Sequence, residues 1–333
     1  MSYNKGLFVY KFCNAYKMYD RVKIWIDRCE MGDVYPHLTT LLDEATLTTD
    51  LKTGEVRTYG SLQGMKVSLY VGGLSIVGSL PKFMYGSNIY PLDRQTTANA
   101  ISKIEDALHL SLADAKVTGF EFGCCFLMRH RVQEYLDRLG SMPRLQRYRF
   151  NPETLYYKHR GQHQPKTFVC YDKVADAKKK QMEIPTGLES ANVLRCELRL
   201  DGRLPHQLNV PSVTASTLSD RQFYEMVMKR FQDAYFAISK LKRLKDNAMS
   251  EIRTVQDAFD CFVGKLITQT GQSQEQIDAF MQELRSADVF KDRVSYVRLK
   301  QKIEKAASKA NLSMDDELVR ELDDEIRNCG AYV

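Results

Sequence analysis

From Arg21 to Asp27 the chain alternates: Val22, Ile24 and Ile26 are apolar, and Arg21, Lys23, Trp25 and Asp27 stand between them. A period of two marks a half-buried strand. The run MKVSLYVGGLSIVGSL (65–80) is a hairpin, two β-rich arms hinged at Gly72-Gly73, a dipeptide that tolerates the positive φ of a tight turn. The period then changes. In PLDRQTTANAISKIEDALHL (91–110), Ala98, Ile101, Ile104 and Leu108 recur at helical spacing. KVTGFEFGCCFLM (116–128) is a long strand, and HRVQEYLDRLGSM (130–142) reads as a second helix ended by Gly140. A further hairpin spans ETLYYKHRGQHQPKTFVCYDK (153–173), with HRGQHQPK between its arms, and ANVLRCELRLDG (191–202) is another strand. Antiparallel hairpins with helices between them predict an α+β fold, a sheet covered on one face.

After Pro211 proline is absent and glycine rare, and apolar residues recur at three and four. SDRQ (219–222) has the form of a capping box and opens a long helix. The chain therefore divides into residues 18–212, the sheet region, and 213–333, an all-helical region with a basic stripe at Lys240, Lys242, Arg243 and Lys245. Residues 1–17 precede a cleaner start at Met18, which is the expected site of initiation, with the leading stretch dispensable.

Two strands carry ionisable groups on the face opposite their apolar one. In NVLRCELRL, Leu194, Cys196, Leu198 and Leu200 share one side, and Arg195, Glu197 and Arg199 the other. In KVTGFEFGCCFLM the apolar side is Phe120, Phe122, Cys124, Phe126 and Met128, and the reverse side reads Gly119, Glu121, Gly123, Cys125. A carboxylate between two glycines has open space about it, and strand glycines often mark a close approach of ligand or backbone. With TFVCYDK (167–173) these strands assemble Glu121, Glu197, Tyr171 and Lys173, with Arg195 and Arg199 beside them. Paired carboxylates suit a hard divalent cation, Mg²⁺ or Mn²⁺, and arginines suit charge building up on phosphate. The bland alternative stays open: an Arg-Glu-Arg row is commonly a salt-bridge ladder of small energetic value, and a tyrosine commonly caps a core strand.

Composition narrows the class modestly. A net charge of +6 fits a polyanionic partner without establishing one. Eight cysteines without a CxxC pair read as reduced core thiols rather than disulfides or a zinc site. No apolar run approaches bilayer length, so no membrane association is expected.

In order along the chain, MYDRVKIWIDR, YGSNIYP (85–91), AKVTGFEFG, TFVCYDK and NVLRCELRL resemble segments of the phage and plasmid replication proteins of the gene II/X family, rolling-circle initiators of filamentous phages and related small replicons. The resemblance covers about Met18 to Arg203. It implies a rolling-circle Rep nuclease-like fold and an enzyme of the bacterial host cytoplasm. That enzyme nicks one strand of a double-stranded origin, leaving a 3′-hydroxyl for polymerase, and later rejoins the displaced strand. The tyrosine of TFVCYDK carries over as the nucleophile, Tyr171, with Lys173 assisting. Glu121 stands where the family usually has an aspartate, and Glu197 is the second metal ligand, for Mg²⁺ or Mn²⁺. Gly119 replaces a usual arginine. TLYYKHR resembles the tyrosine segment of another plasmid initiator group and nominates Tyr156 as an alternative nucleophile. Implied partners are origin duplex, single-stranded DNA and the host helicase and polymerase. DNA contacts are assigned to Arg195, Arg199, Lys158 and Arg160 and, in the helical region outside the resemblance, to Lys240, Lys242, Arg243 and Lys245, which on the other reading belong to a solvated helical bundle. The six histidines include no His-hydrophobic-His pair. The competing expectation is an origin-binding protein without catalysis.

Overall fold

The computed structural model describes residues 16–240, 248–268, 273–307 and 316–329. Among them ten strands form one antiparallel sheet. β1 (Tyr16–Asp27) is followed by β2 (Asp43–Thr49), β3 (Val56–Leu62), β4 (Met65–Tyr70) and β5 (Gly73–Ser79). Then come β6 (Lys116–Met128), β7 (Gln146–Asn151), β8 (Thr154–Lys158), β9 (Lys166–Asp172) and β10 (Asn192–Asp201). Their spatial order is β2-β3-β4-β5-β1-β6-β10-β9-β8-β7. The long strands β1, β6 and β10 are therefore central, and the two hairpin systems flank them.

One side of the sheet is covered. The apolar faces of β1 and β6 bring Tyr19 against Phe120 and Phe122, with ring centroids 5.4 and 5.3 Å apart. Over them lies α6 (Arg221–Phe236), whose Tyr224 packs edge-on to Tyr19 at 5.7 Å and whose Phe231 meets Phe168 of β9 at 5.6 Å. The edge-to-face pairs that Tyr19 makes add to the free energy of burying the rings. α3 (Val132–Leu136) and α10 (Glu317–Asn328) close the same side, burying Leu136, Leu322 and Ile326. Between β5 and β6 run α1 (Leu80–Tyr85) and α2 (Arg94–Leu108), and α4 (Lys173–Lys179) and α5 (Leu204–Leu208) stand before and after β10. α7 (Val255–Thr268), α8 (Ser273–Ser286) and α9 (Arg293–Ala307) build a second, small core on Ile267, Ile277, Met281 and Tyr296.

The α+β architecture with a helical C-terminal part agrees with the alternation in the sequence. Several boundaries differ. The β4–β5 turn lies at Val71-Gly72, and Gly73 is already a strand residue paired with Asp27 and Tyr70. The helix expected over 130–142 is only α3, five residues long. α6 is capped by Asp220, whose side chain accepts from the Phe223 amide, so Ser219 is not the cap. β1 begins at Tyr16, two residues ahead of Met18. Residues 1–15 of the leading stretch, and Lys242, Arg243 and Lys245 of the basic stripe, lie outside the described residues.

Candidate active site

The open side of the sheet gathers the ionisable groups by register. Arg195 pairs across the strands with Cys125 and Tyr171, Glu197 with Gly123 and Val169, and Arg199 with Glu121 and Thr167. All therefore point the same way. Gly123 makes room: a Cβ there would lie 2.9 Å from Glu197 Cγ and 3.0 Å from the Cys196 carbonyl oxygen.

A fourth group arrives through an irregularity. Opposite β6, Tyr19 pairs with Phe122 and Val22 with Phe120, so Asp20 and Arg21 together face the single Glu121. This bulge interrupts the alternation and lets Tyr19 and Val22 both enter the core while Asp20 joins the open side. Arg195 Nη2 donates to Asp20 Oδ2 at 2.9 Å, and Ser79 donates to its other oxygen. The segment after α1 supplies a further donor. Gly86, at φ +74°, ends that helix in the left-handed region and turns the chain. Asn88 Nδ2 then donates to Asp20 Oδ2 at 2.9 Å, while its Oδ1 accepts from Lys173 Nζ at 2.9 Å.

Glu197 is the hub. Its Oε1 accepts from Tyr171 Oη at 2.8 Å and Arg195 Nε at 2.6 Å, and its Oε2 accepts from Arg199 Nη2 at 2.6 Å and Nε at 3.0 Å. Burial alone would raise its pKa, but the charges of Arg195 and Arg199 and the bonds they and Tyr171 make bring it well below the usual carboxylate range. Glu121 differs. Burial raises it, Arg199 at 3.7 Å opposes, and neighbouring Glu197 and Asp20 add to the rise, leaving its pKa at about 7. Burial and Glu197 push Tyr171 well above its ordinary value, so the phenol is protonated at neutral pH. Burial and then Arg195 draw Lys173 down to about 8.

One oxygen each from Asp20, Glu121 and Glu197 lies within 4.8 Å of the other two, so the triad can hold a metal ion. The all-oxygen donor set fits a hard divalent cation. Glu121, held by the long Arg199 contact, is the carboxylate most free to bind first. Glu197 has every acceptor position filled, and the arginine able to release it is Arg199, whose side chain is one-third exposed. An opening of about 160 Å³ reaches this point, lined by Arg21, Lys23, Glu121, Thr167, Arg199 and Asp201. Lys23 lies across Gly119, its Cδ 3.1 Å from where a Cβ would stand, and pairs with Asp201.

The structure brings together Glu121, Glu197, Tyr171, Lys173, Arg195 and Arg199 as the strand pattern predicts. The role expected of Arg195 changes: it has no exposed surface, so it cannot touch DNA and serves instead to hold Asp20 and Glu197. Lys173 sends its ammonium to Asn88 and through it to Asp20, not to the phenol. Lys240 is also internal in use. Its Nζ donates to the Tyr235 and Ile238 carbonyls and sits 3.9 Å from the Tyr235 ring centroid, and burial lowers it to about 8. Tyr156 lies on the open side but two strands away, paired with Val169 and Tyr148. Lys158 stands over the Tyr148 and Tyr156 rings, and exposed Arg160 donates to Gln146. Asp20 and Asn88 escape the strand alternation, although both fall in segments that carry the resemblance. The signal for Asp20 is the charge beside Tyr19 where the alternation breaks.

The family model for the N-terminal region of the phage replication-associated protein of the gene II type matches residues 18–222. The chain belongs to this family. The match spans all of the open-face residues, from Asp20 to Arg199. Membership makes the protein a replication initiator of the phage gene II type, and such a role entails DNA binding. No curated protein matches the chain. Among the described residues no helix is long and apolar enough to cross a membrane.

Proposed function

We propose that the protein nicks one strand of a double-stranded phage or plasmid origin through Tyr171, in a reaction dependent on Mg²⁺ or Mn²⁺, and later rejoins the displaced strand. The observation that carries this is the 2.8 Å bond from Tyr171 Oη to Glu197 Oε1, on a face shared with Asp20 and Glu121. Glu197 fixes the direction of the phenol, and the phenolic proton passes to water as the tyrosyl oxygen bonds to phosphorus. The phosphorus–oxygen bond to the 3′ carbon breaks, its electron pair stays on the oxygen, and a proton taken up from water leaves a 3′-hydroxyl. A divalent cation held by Asp20, Glu121 and Glu197 would polarise the phosphate and favour the ionised phenol. Arg199, Arg21 and Lys23 line the opening and neutralise phosphate charge. Arg195 holds the two buried carboxylates in place.

A supercoiled plasmid carrying the cognate origin tests the proposal. With Mg²⁺ the wild type is expected to give open circles and a protein–DNA adduct on denaturing gels, and Tyr171→Phe neither. Tyr156→Phe is expected to cut like wild type, since Tyr156 lies two strands from Glu197. Origin binding by the wild type without any cut under these conditions would establish the non-catalytic alternative.

A further inference from the structure

The outward side of β7 and β8 is built backwards for a sheet edge. β7 turns its charged residues inward: Arg147 donates to the Leu139 carbonyl and to Glu275, both at 2.9 Å, and Arg149 to Asp137 at 3.0 Å. Its rings face solvent, with Tyr148 44% and Phe150 64% exposed, and half-buried Tyr156 of β8 joins them. Exposed rings on an edge strand invite aggregation, and proteins ordinarily avoid them unless the surface binds something. These rings do not cover one another. Phe150 stands 6.4 Å from Tyr156 at 89° and 6.5 Å from Tyr148 at 49°, so it is stacked face to face on neither. Lys158 Nζ sits among them, 4.7 Å from the Tyr148 centroid and 5.9 Å from that of Tyr156, and Arg160 follows in the adjoining loop. The row also points at the acidic cluster. Tyr148 pairs with Tyr156, Tyr156 with Val169, and Val169 with Glu197, a line at right angles to the strands. At the usual strand spacing Tyr156 is about 10 Å and Tyr148 about 14 Å from Glu197, backbone to backbone.

We propose that Tyr148, Phe150 and Tyr156, with Lys158 and Arg160, form a stacking platform for single-stranded DNA that leads to or from Glu197. The interleaving of rings with cations favours a polyanion with flat faces over an apolar protein partner. Only unpaired bases offer those faces, and stacking on them is tolerant of sequence. The platform rests on the nickase reading only for where the strand goes: a cut strand must pass from the acidic cluster as a single strand, and this row adjoins it.

The test is fluorescence anisotropy with labelled oligo(dT) of about 15 nucleotides in EDTA, where no cutting occurs. Tyr148→Ala, Phe150→Ala and Tyr156→Ala are each expected to weaken binding about tenfold, within the range found for base–aromatic stacking. Tyr148→Phe and Tyr156→Phe should bind as wild type, and affinity for a blunt duplex of equal length should fall far less than that for oligo(dT). Circular-dichroism melts confirm that the variants are folded. Alanine variants that hold oligo(dT) like wild type, or that lose duplex and single strand alike, overturn the platform. So does a change in sedimentation of Phe150→Ala with oligo(dT) binding intact, which would make the surface a contact between copies. Origin nicking is measured separately: a wild type that never cuts, with variants that lose oligo(dT), sinks the nickase and leaves the platform standing.

Discussion

Glu121 and Glu197 lie on neighbouring strands with opposite electrostatics. Glu197 has two guanidinium groups in direct contact, whereas Glu121 has one contact at 3.7 Å and two acidic neighbours. The native state keeps a proton on Glu121 up to about pH 7, while an unfolded glutamate releases it near 4.3. Between those values the folded protein binds more protons, so this residue makes stability fall as pH rises. Glu121→Gln is expected to remove that slope and to gain about 3–4 kcal/mol over wild type at pH 8, with no gain at pH 4. Thermal melts at both pH values measure it. Adding Mg²⁺ at pH 8 should raise the wild-type melting temperature and leave Glu121→Gln unmoved, because Glu121, ionised at that pH, is the carboxylate proposed to take up the cation. The two arginines should separate equally well. Arg195→Met strands two buried carboxylates and is expected to cost about 3–5 kcal/mol in denaturant titrations. Arg199→Met leaves Glu197 Oε2 without its two donors, at a point the opening reaches, and should cost less than Arg195→Met, about 1–3 kcal/mol, while abolishing origin cleavage. Alternation in the sequence was enough to bring Tyr171, Glu121, Glu197 and the arginines to one surface. Asp20 and Asn88 were hidden because one rides a bulge and the other a loop, and neither has a period.

At the level of strands, the site depends on how closely β6 and β10 approach. Gly123→Ala would set a methyl 2.9 Å from the Cγ of a glutamate that three side chains hold in place. Glu197 cannot yield without breaking those bonds, so the substitution is expected to cost about 1–3 kcal/mol and to cut nicking more than it cuts stability. Gly119→Ala meets chiefly the flexible Lys23 chain, at 3.1 Å, with oxygens of Asp201 and Leu200 at 3.2 Å, and should cost less. Paired melts and plasmid assays of the two variants check the order. The same strand logic explains which elements could be read in advance. β6 and β10 bury apolar residues at every second position, and they were legible. β2 is exposed along its whole length, so burial writes no pattern into it. β7 inverts the rule, with Arg147 and Arg149 inside and rings outside, and hydrophobic alternation therefore says nothing true about its faces. The expected second helix stops at Leu136 because the chain beyond it turns into bridges at Leu139 and Met142.

For the molecule as a whole, the family match ends at residue 222, but the core of the sheet does not. α6 runs on to Phe236, and α10, about eighty residues later, returns to cover it. α10 places Leu318, Leu322 and Ile326 in the main core at 8%, 1% and 0% exposure. Its polar side is tied down too: Tyr135 Oη donates to Glu321 at 2.5 Å, Tyr235 Oη to Asp323 at 2.7 Å, and Arg138 Nε to Asp316 at 2.6 Å. Removing residues 316–333 uncovers those apolar contacts and leaves two buried phenols and a guanidinium short of partners, each a penalty in its own right. The truncated chain is therefore expected to lose several kcal/mol, enough to unfold an ordinary domain, and to lose nicking with its fold although every open-face residue is intact. Leu322→Ala alone should cost about 2–5 kcal/mol. Phe259→Ser and Phe262→Ser, on the solvent side of α7 at 50% and 61% exposure, should stay within about 0.5 kcal/mol of wild type. Urea titrations of the truncation and the three point variants decide it: if the truncated protein melts like the full chain, the last helix is not part of the core that holds Tyr171 and Glu197 together.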